Sequence, residues 1–214
     1  MIKGLKICGI SDPKTLNYIL NHRHKPSMIG FITNYKKSRR FIEYEKLKDL
    51  IDADKKNVSF VSVLVNPNVE ILEKIKDLNF DYYQLYDVDP KRTEKIKSKY
   101  KIKIITAITV SSKDDVIKYK DYSDISDIIL FDSKGYHKSE SFDHNLLNEV
   151  PSEMNKMIAG NIQIHDIPNF KNKIFIIDLS GSIENNEGKK DINKIDRLLR
   201  LFAKPWNLKK DYQL

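Results

Sequence analysis

The single cysteine, Cys8, stands at the exit of the run Leu5-Lys6-Ile7-Cys8-Gly9-Ile10. A thiol in that place is either packing, since free cysteine is often buried, or chemistry, since its ionised form is reactive. Asp132 and Asp178 close two other apolar runs. A carboxylate at such a strand end is a loop cap or a proton-transfer group. Arg40 ends the basic stretch Lys36-Lys37-Ser38-Arg39-Arg40 and can pair with a surface acid such as Glu43 or hold an anion. Gln84 can hydrogen-bond inside the fold, and Asn66 ends a further run. Small residues at Ala159-Gly160-Asn161 and Ser180-Gly181-Ser182 are turns, or places where a ligand comes close to backbone.

The elements that carry these residues repeat in one pattern. Eight β-rich runs cover residues 5–10, 28–32, 60–65, 82–86, 102–110, 128–132, 157–162 and 174–180. Helical spacing of apolar residues fills 13–21, 43–54, 69–78, 91–99, 113–120, 143–150 and 192–203. The segment 165–170 holds Pro168 and is expected to make at most one turn. Strands alternating with helices argue for parallel βαβ units. Eight such units argue for one closed (β/α)8 TIM barrel over residues 1–203, with an irregular tail over 204–214. A doubly wound open sheet is the alternative. No Gly-x-Gly-x-x-Gly follows the first strand, so the dinucleotide fingerprint is absent.

In such barrels the active site lies at the C-terminal strand ends. That rule brings Cys8, Arg40, Asn66, Gln84, Asp132, Ser133, Gly160, Asn161, Asp178 and the residues 180–182 to one rim. A thiol, two carboxylates, an arginine and a small-residue loop then surround a single mouth.

Composition excludes several other functions. The 214 residues fit one barrel-sized domain, and one cysteine forbids an internal disulfide and suits a reducing compartment. No apolar run has membrane-spanning length, and the N-terminal residues lack the apolar stretch of a secretory signal. A soluble, cytoplasmic protein without a membrane partner is expected. The net charge of +8 comes from 38 basic and 30 acidic residues. The lysines are scattered among acids, as in 44–56 and 91–103, so solvated faces are expected rather than a nucleic-acid surface. The positive field would still help draw in an anionic substrate.

Several of these stretches, in order, resemble the phosphoribosylanthranilate isomerase family of tryptophan biosynthesis. Lys6-Ile7-Cys8-Gly9-Ile10 resembles the family's opening motif. Gly30-Phe31 followed by Ser38-Arg39-Arg40 resembles its Gly-Phe and Ser-Pro-Arg, and Val63-Leu64-Val65-Asn66 its Val-Phe-Val-Asn. Gln84-Leu85 resembles the start of Gln-Leu-His-Gly. Leu130-Phe131-Asp132-Ser133 with Phe142-Asp143 resembles the sixth unit, and Ile158-Ala159-Gly160 resembles Leu-Ala-Gly-Gly. The stretch 178–184 and then Gly188-Lys189-Lys190-Asp191 resembles the closing signature. The departures are Arg39 for the proline, Tyr86-Asp87 for His-Gly, His137-Lys138-Ser139 for a glycine-threonine-glycine, Asn161 for the second glycine, and Gly181-Ser182 for the reverse order. The last three fall on loops that the resemblance assigns to substrate and phosphate.

The resemblance implies an Amadori rearrangement of N-(5-phosphoribosyl)anthranilate to 1-(2-carboxyphenylamino)-1-deoxyribulose 5-phosphate, with no metal and no cofactor. It implies Asp132 as general acid and Cys8 as general base. Arg40 would hold the anthranilate carboxylate, and Gln84 and Asp178 would bind substrate. Backbone amides near Gly160, Asn161, Ser180, Gly181 and Ser182 would cradle the phosphate. Partners would be the phosphorylated substrate and other tryptophan-pathway enzymes. Another phosphosugar barrel enzyme and a non-catalytic phosphate-binding barrel are the competing readings. The acid must stay protonated near neutrality and the thiol must ionise, so rate against pH should rise as Cys8 ionises and fall as Asp132 loses its proton. Lys6 is read as facing away from Cys8, which leaves Arg40 as the cation expected to favour the thiolate.

Overall fold

The computed structural model describes residues 2–133, 141–170 and 175–203. Eight parallel strands close into a barrel: β1 (Gly4–Cys8), β2 (Met28–Ile32), β3 (Ser59–Val65), β4 (Tyr82–Tyr86), β5 (Lys103–Val110), β6 (Ile128–Ser133), β7 (Lys156–Ile158) and β8 (Ile176–Leu179). Each strand pairs with its sequence neighbour, and β8 returns to β1 through Leu5↔Ile177 and Ile7↔Leu179. Closure leaves no edge strand, so the open-sheet alternative is set aside.

The helices are α1 (Pro13–Asn21), α2 (Tyr44–Ile51), α3 (Val69–Ile75), α4 (Pro90–Tyr100), α5 (Lys113–Ile117) and α6 (Ile192–Ala203). Their starts are written locally. Asp12 and Asp89 accept the Thr15 and Arg92 amides, each ahead of a proline at the first helical turn. Ser112 and Asp115 form a capping box for α5. The helix expected over 143–150 is instead a 3₁₀ segment, His144–Glu149, and the stretch expected to make at most one turn is a longer 3₁₀ run of seven residues, Ile164–Phe170. Only six residues separate Asp143 from Val150, and Pro168 denies its segment a backbone donor. The strand expected over 157–162 stops at Ile158 because Gly160 and Asn161 turn with φ of +93° and +52°. The tail 204–214 and the stretch His137-Lys138-Ser139 lie outside the described residues. Among the described residues no helix is long and apolar enough to cross a membrane.

Strand alternation divides the core in two. Outward residues such as Leu5, Ile7, Ile29, Phe31, Ile129 and Phe131 pack against the helices. Inward residues such as Met28, Val61, Val63, Ile105, Leu130 and Met157 fill the barrel, with Cys8 at the top. Lys6 therefore shares the inward face with Cys8, two residues on, and is completely buried. The expectation that Lys6 faces away from Cys8 is incorrect. Strand alternation puts residues i and i+2 on one face, and Asp178 neutralises the lysine there.

Candidate active site

A cavity of about 170 Å³ opens at the C-terminal strand ends and is lined by Cys8, Arg40, Tyr86, Asp132, Ser133, Gly160, Asn161, Asp178 and residues 180–182. Of the residues expected at the mouth, Gln84 and Asn66 do not line it. Gln84 lies one layer lower, 1 % exposed, and its amide donates to the Tyr86 hydroxyl at 3.2 Å. Asn66 accepts from Arg92 instead.

Cys8 and Asp132 enter from β1 and β6, nearly opposite each other around the barrel. The floor between them is charged. Lys6 Nζ donates to Asp178 Oδ2 at 2.7 Å, with both side chains buried. A methyl group at Gly30 would come within 2.8 Å of Cys8 Sγ and 3.1 Å of Lys6 Nζ, so β2 needs a glycine there to leave room for both. Burial pushes the Cys8 thiol up, and Lys6 and then Lys190 pull the other way. These two lysines are the cations that favour the thiolate most, and Arg40, the one expected, also attracts it. Lys6 itself is held protonated against burial by Asp178 and Cys8.

Burial raises the Asp132 carboxyl to about 6, and the Tyr86 hydroxyl and Ser133 amide, which donate to it at 2.8 Å each, restrain the rise. A carboxyl whose folded pKa lies above its unfolded one stabilises the fold least at high pH. The penalty is absent below pH 3.8, grows towards 6 and is complete above it. Asp132→Asn should therefore stabilise the fold at pH 8 by about 1–2 kcal/mol, after discounting for water in the half-open cavity. Denaturant melts should show that gain disappearing below pH 4; a gain independent of pH would contradict the burial of the charged form.

Arg40 is not free to pair with Glu43. Glu184 accepts from its Nε at 2.5 Å and its Nη2 at 2.9 Å, and also accepts from Arg39 at 2.5 Å and Lys190 at 2.8 Å. Burial pushes the Glu184 carboxyl up, but Arg40 and Lys190 outweigh it and bring it to about 2. Lys190, lowered by burial to about 8, also donates to Ser180 carbonyl and hydroxyl oxygens. The Ser180 hydroxyl in turn donates to the Cys8 carbonyl at 3.0 Å. One buried acid thus ties the loops after β2 and β8 to the strand that carries the thiol.

The loops after β7 and β8 face the same cavity. Gly160 has positive φ, and a methyl there would meet Ser133 Cβ at 2.9 Å, so its backbone packs directly on the end of β6. Among the described residues, Asp178 Oδ1, Ser133 Oγ and Ser182 Oγ are buried without a hydrogen-bond partner, all on cavity-lining residues. Buried polar atoms in native folds are normally satisfied, so these three mark where a polar ligand would complete the site. Among the described residues no cluster of histidine, cysteine and carboxylate side chains could hold a metal ion.

The model of the N-(5'-phosphoribosyl)anthranilate (PRA) isomerase family matches residues 5–200. The chain belongs to that family. The N-(5'-phosphoribosyl)anthranilate isomerase of Agrobacterium fabrum is 30% identical over 207 residues, covering 92% of this chain and 93% of the relative. The crystal structure of phosphoribosyl anthranilate isomerase from Thermotoga maritima superposes with a TM-score of 0.80 at 22% identity, over 94% of this chain and 98% of that one. A phosphoribosyl anthranilate isomerase in complex with reduced 1-(o-carboxyphenylamino)-1-deoxyribulose 5-phosphate gives 0.79 at 23% identity, over 94% and 97%.

Within this member of the phosphoribosylanthranilate isomerase family, four site residues had no role from sequence. Glu184 and Lys190 lie in the closing stretch, and only the fold shows that they bind each other and Arg40. Lys6 was read as facing away, although its i, i+2 spacing from Cys8 puts both on one strand face. Tyr86 stood out only as a departure, yet it touches Asp132 directly.

Proposed function

We propose that this chain is a phosphoribosylanthranilate isomerase that converts the aminoaldose N-(5-phosphoribosyl)anthranilate to the aminoketose 1-(2-carboxyphenylamino)-1-deoxyribulose 5-phosphate. The observation that carries the reading is the convergence of Cys8 and Asp132 on one cavity, with the loops after β7 and β8 at its rim. Asp132 gives its proton to the furanose ring oxygen as the C1–O bond breaks, and the nitrogen lone pair forms the C1=N bond of an iminium ion. Cys8 thiolate removes the C2 proton, and the C2–H electron pair gives the enolamine, which tautomerises to the ketone. Asp178 Oδ1 accepts from a substrate hydroxyl or amine while Oδ2 stays with Lys6. Amides near Gly160, Asn161 and residues 180–182 receive the phosphate, as small-residue loops after strands seven and eight of such barrels commonly do. Gln84 acts through Tyr86 rather than by contact. We place the enzyme in the cytoplasm with the other tryptophan-pathway enzymes, with residues 1–203 as the barrel and 204–214 as its tail.

Arg40 is assigned to the anthranilate carboxylate, with Glu184 fixing the guanidinium in place. A guanidinium fork suits a carboxylate, and losing such a buried charged contact costs on the order of 2–5 kcal/mol. Arg40→Ala should raise KM far more than Arg39→Ala, whose side chain is 58% exposed against 24% for Arg40. Equal, small changes in both variants would remove Arg40 from the carboxylate site. The function itself is tested by expressing the chain in a tryptophan auxotroph lacking this isomerase. Growth without tryptophan is expected; no growth from folded, expressed protein would overturn the reading.

A further inference from the structure

Asp132 makes its strongest side-chain contact with a residue the mechanism has not used. Tyr86 ends β4, is 8% exposed, and donates its hydroxyl to Asp132 Oδ2 at 2.8 Å. The Ser133 amide donates to Oδ1 of the same carboxyl, also at 2.8 Å. Behind the phenol, the Gln84 amide donates to its oxygen at 3.2 Å. The hydrogen bonds thus run in one direction, from Gln84 through Tyr86 to Asp132. We propose that Tyr86 is a positioning residue for the general acid, donating to the Asp132 carboxylate left behind when the substrate ring opens.

Negative charge builds on Asp132 as its proton leaves. While Asp132 is protonated the carboxyl is neutral, and the two donors gain little from it. When its proton passes to the furanose oxygen, the C1–O pair goes to that oxygen and a full negative charge remains on Asp132. A carboxylate accepts stronger hydrogen bonds than a carboxylic acid does. The phenol and amide therefore stabilise the product of the proton transfer more than its starting state, which makes Asp132 a stronger acid. Tyr86 cannot compete for the proton, because burial and then Asp132 hold its own hydroxyl well above the ordinary phenol range.

Other groups act on Asp132 as well. Asp178 on β8 repels the charge, and Lys6 on β1 attracts it. These two are ion-paired to each other and act on Asp132 in opposite senses. Among the described residues, Tyr86 is the side chain that donates to Asp132 directly.

The inference rests on Asp132 as the acid, and its test is chosen to separate the two. In protein labelled with ¹³C at aspartate side-chain carboxyls, the Asp132 signal is identified by its loss in Asp132→Asn. Its titration is followed in the wild type, Tyr86→Phe and Tyr86→His, alongside kcat and KM. Loss of one donor to a carboxylate should move its midpoint up by about half a unit to one unit in Tyr86→Phe. We expect that shift, a roughly tenfold fall in kcat at about pH 5, where the resting Asp132 carboxyl holds its proton, with little change in KM, and recovery of both in Tyr86→His, whose ring N–H can donate. An unmoved Asp132 midpoint in Tyr86→Phe overturns the proposal even if activity falls. A moved midpoint with unchanged kcat means that Asp132 is not the acid, and overturns it too. Should Tyr86→Phe not fold, Tyr86→His alone decides: a midpoint and kcat near wild type support the donor role, and a large loss of either contradicts it.

Discussion

Cys8→Ala should lower kcat by about 10²–10⁴-fold, the range that a positioned proton-transfer group contributes, while the barrel folds as before. The thiol is 8% exposed and packs with Met28, Val61, Val63 and the other inward residues. Its loss as packing alone would remove one buried atom and cost on the order of 1 kcal/mol. The two roles thus separate cleanly. A stability change without a rate change means filler; a rate change of this size at near-native stability means the base. Steady-state kinetics with a thermal melt on the same sample distinguishes them. Iodoacetamide should inactivate the wild type through this one thiol, and a phosphorylated product analogue should slow that reaction.

Asp132→Asn should fall by a comparable factor, and its pH profile should lose one limb. The thiol is pushed up by burial, whereas Asp132 rises only to about 6. At neutral pH most of the free enzyme therefore carries the proton on sulfur and the charge on Asp132. The reactive form, thiolate with carboxylic acid, holds the same number of protons and is a minor tautomer of that state. A bell in kcat/KM survives, but its limbs exchange owners relative to the sequence expectation. The rising limb near pH 6 belongs to Asp132, and the falling limb, above the ordinary thiol range, belongs to Cys8. Asparagine cannot titrate, so the limb near 6 should vanish from the residual activity of Asp132→Asn. Its persistence there would assign that limb to another group.

The convergence of Cys8, Asp132, Asp178 and the two small-residue loops was legible because barrel topology alone sends every strand end to one rim. The β-rich runs were read almost to the residue in β2 and β4, where turn signals bracket them. What failed depends on contacts far apart in sequence. Spacing alone puts Lys6 on the face of Cys8, but the Asp178 carboxylate that neutralises it there lies 172 positions away. The Arg40–Glu184 pair spans 144 positions, so a nearby acid, Glu43, looked the better partner. Gln84 and Tyr86 lie on one face of β4, but nothing in that strand says that Asp132 stands at the end of the chain of donors. The order of the two pKa values was illegible for the same reason, since burial is a property of the closed barrel.

The central claim is that Cys8 takes the C2 proton of an aminoaldose whose ring Asp132 has opened. The most direct test uses N-(5-phosphoribosyl)anthranilate carrying deuterium at C2. In water, the wild-type chain should release that deuterium and form the aminoketose, and Asp132→Asn should do both slowly. Cys8→Ala, with Asp132 intact, should keep the deuterium at C2 over the time in which the wild type loses it. Loss of the label in Cys8→Ala at the wild-type rate would contradict the account.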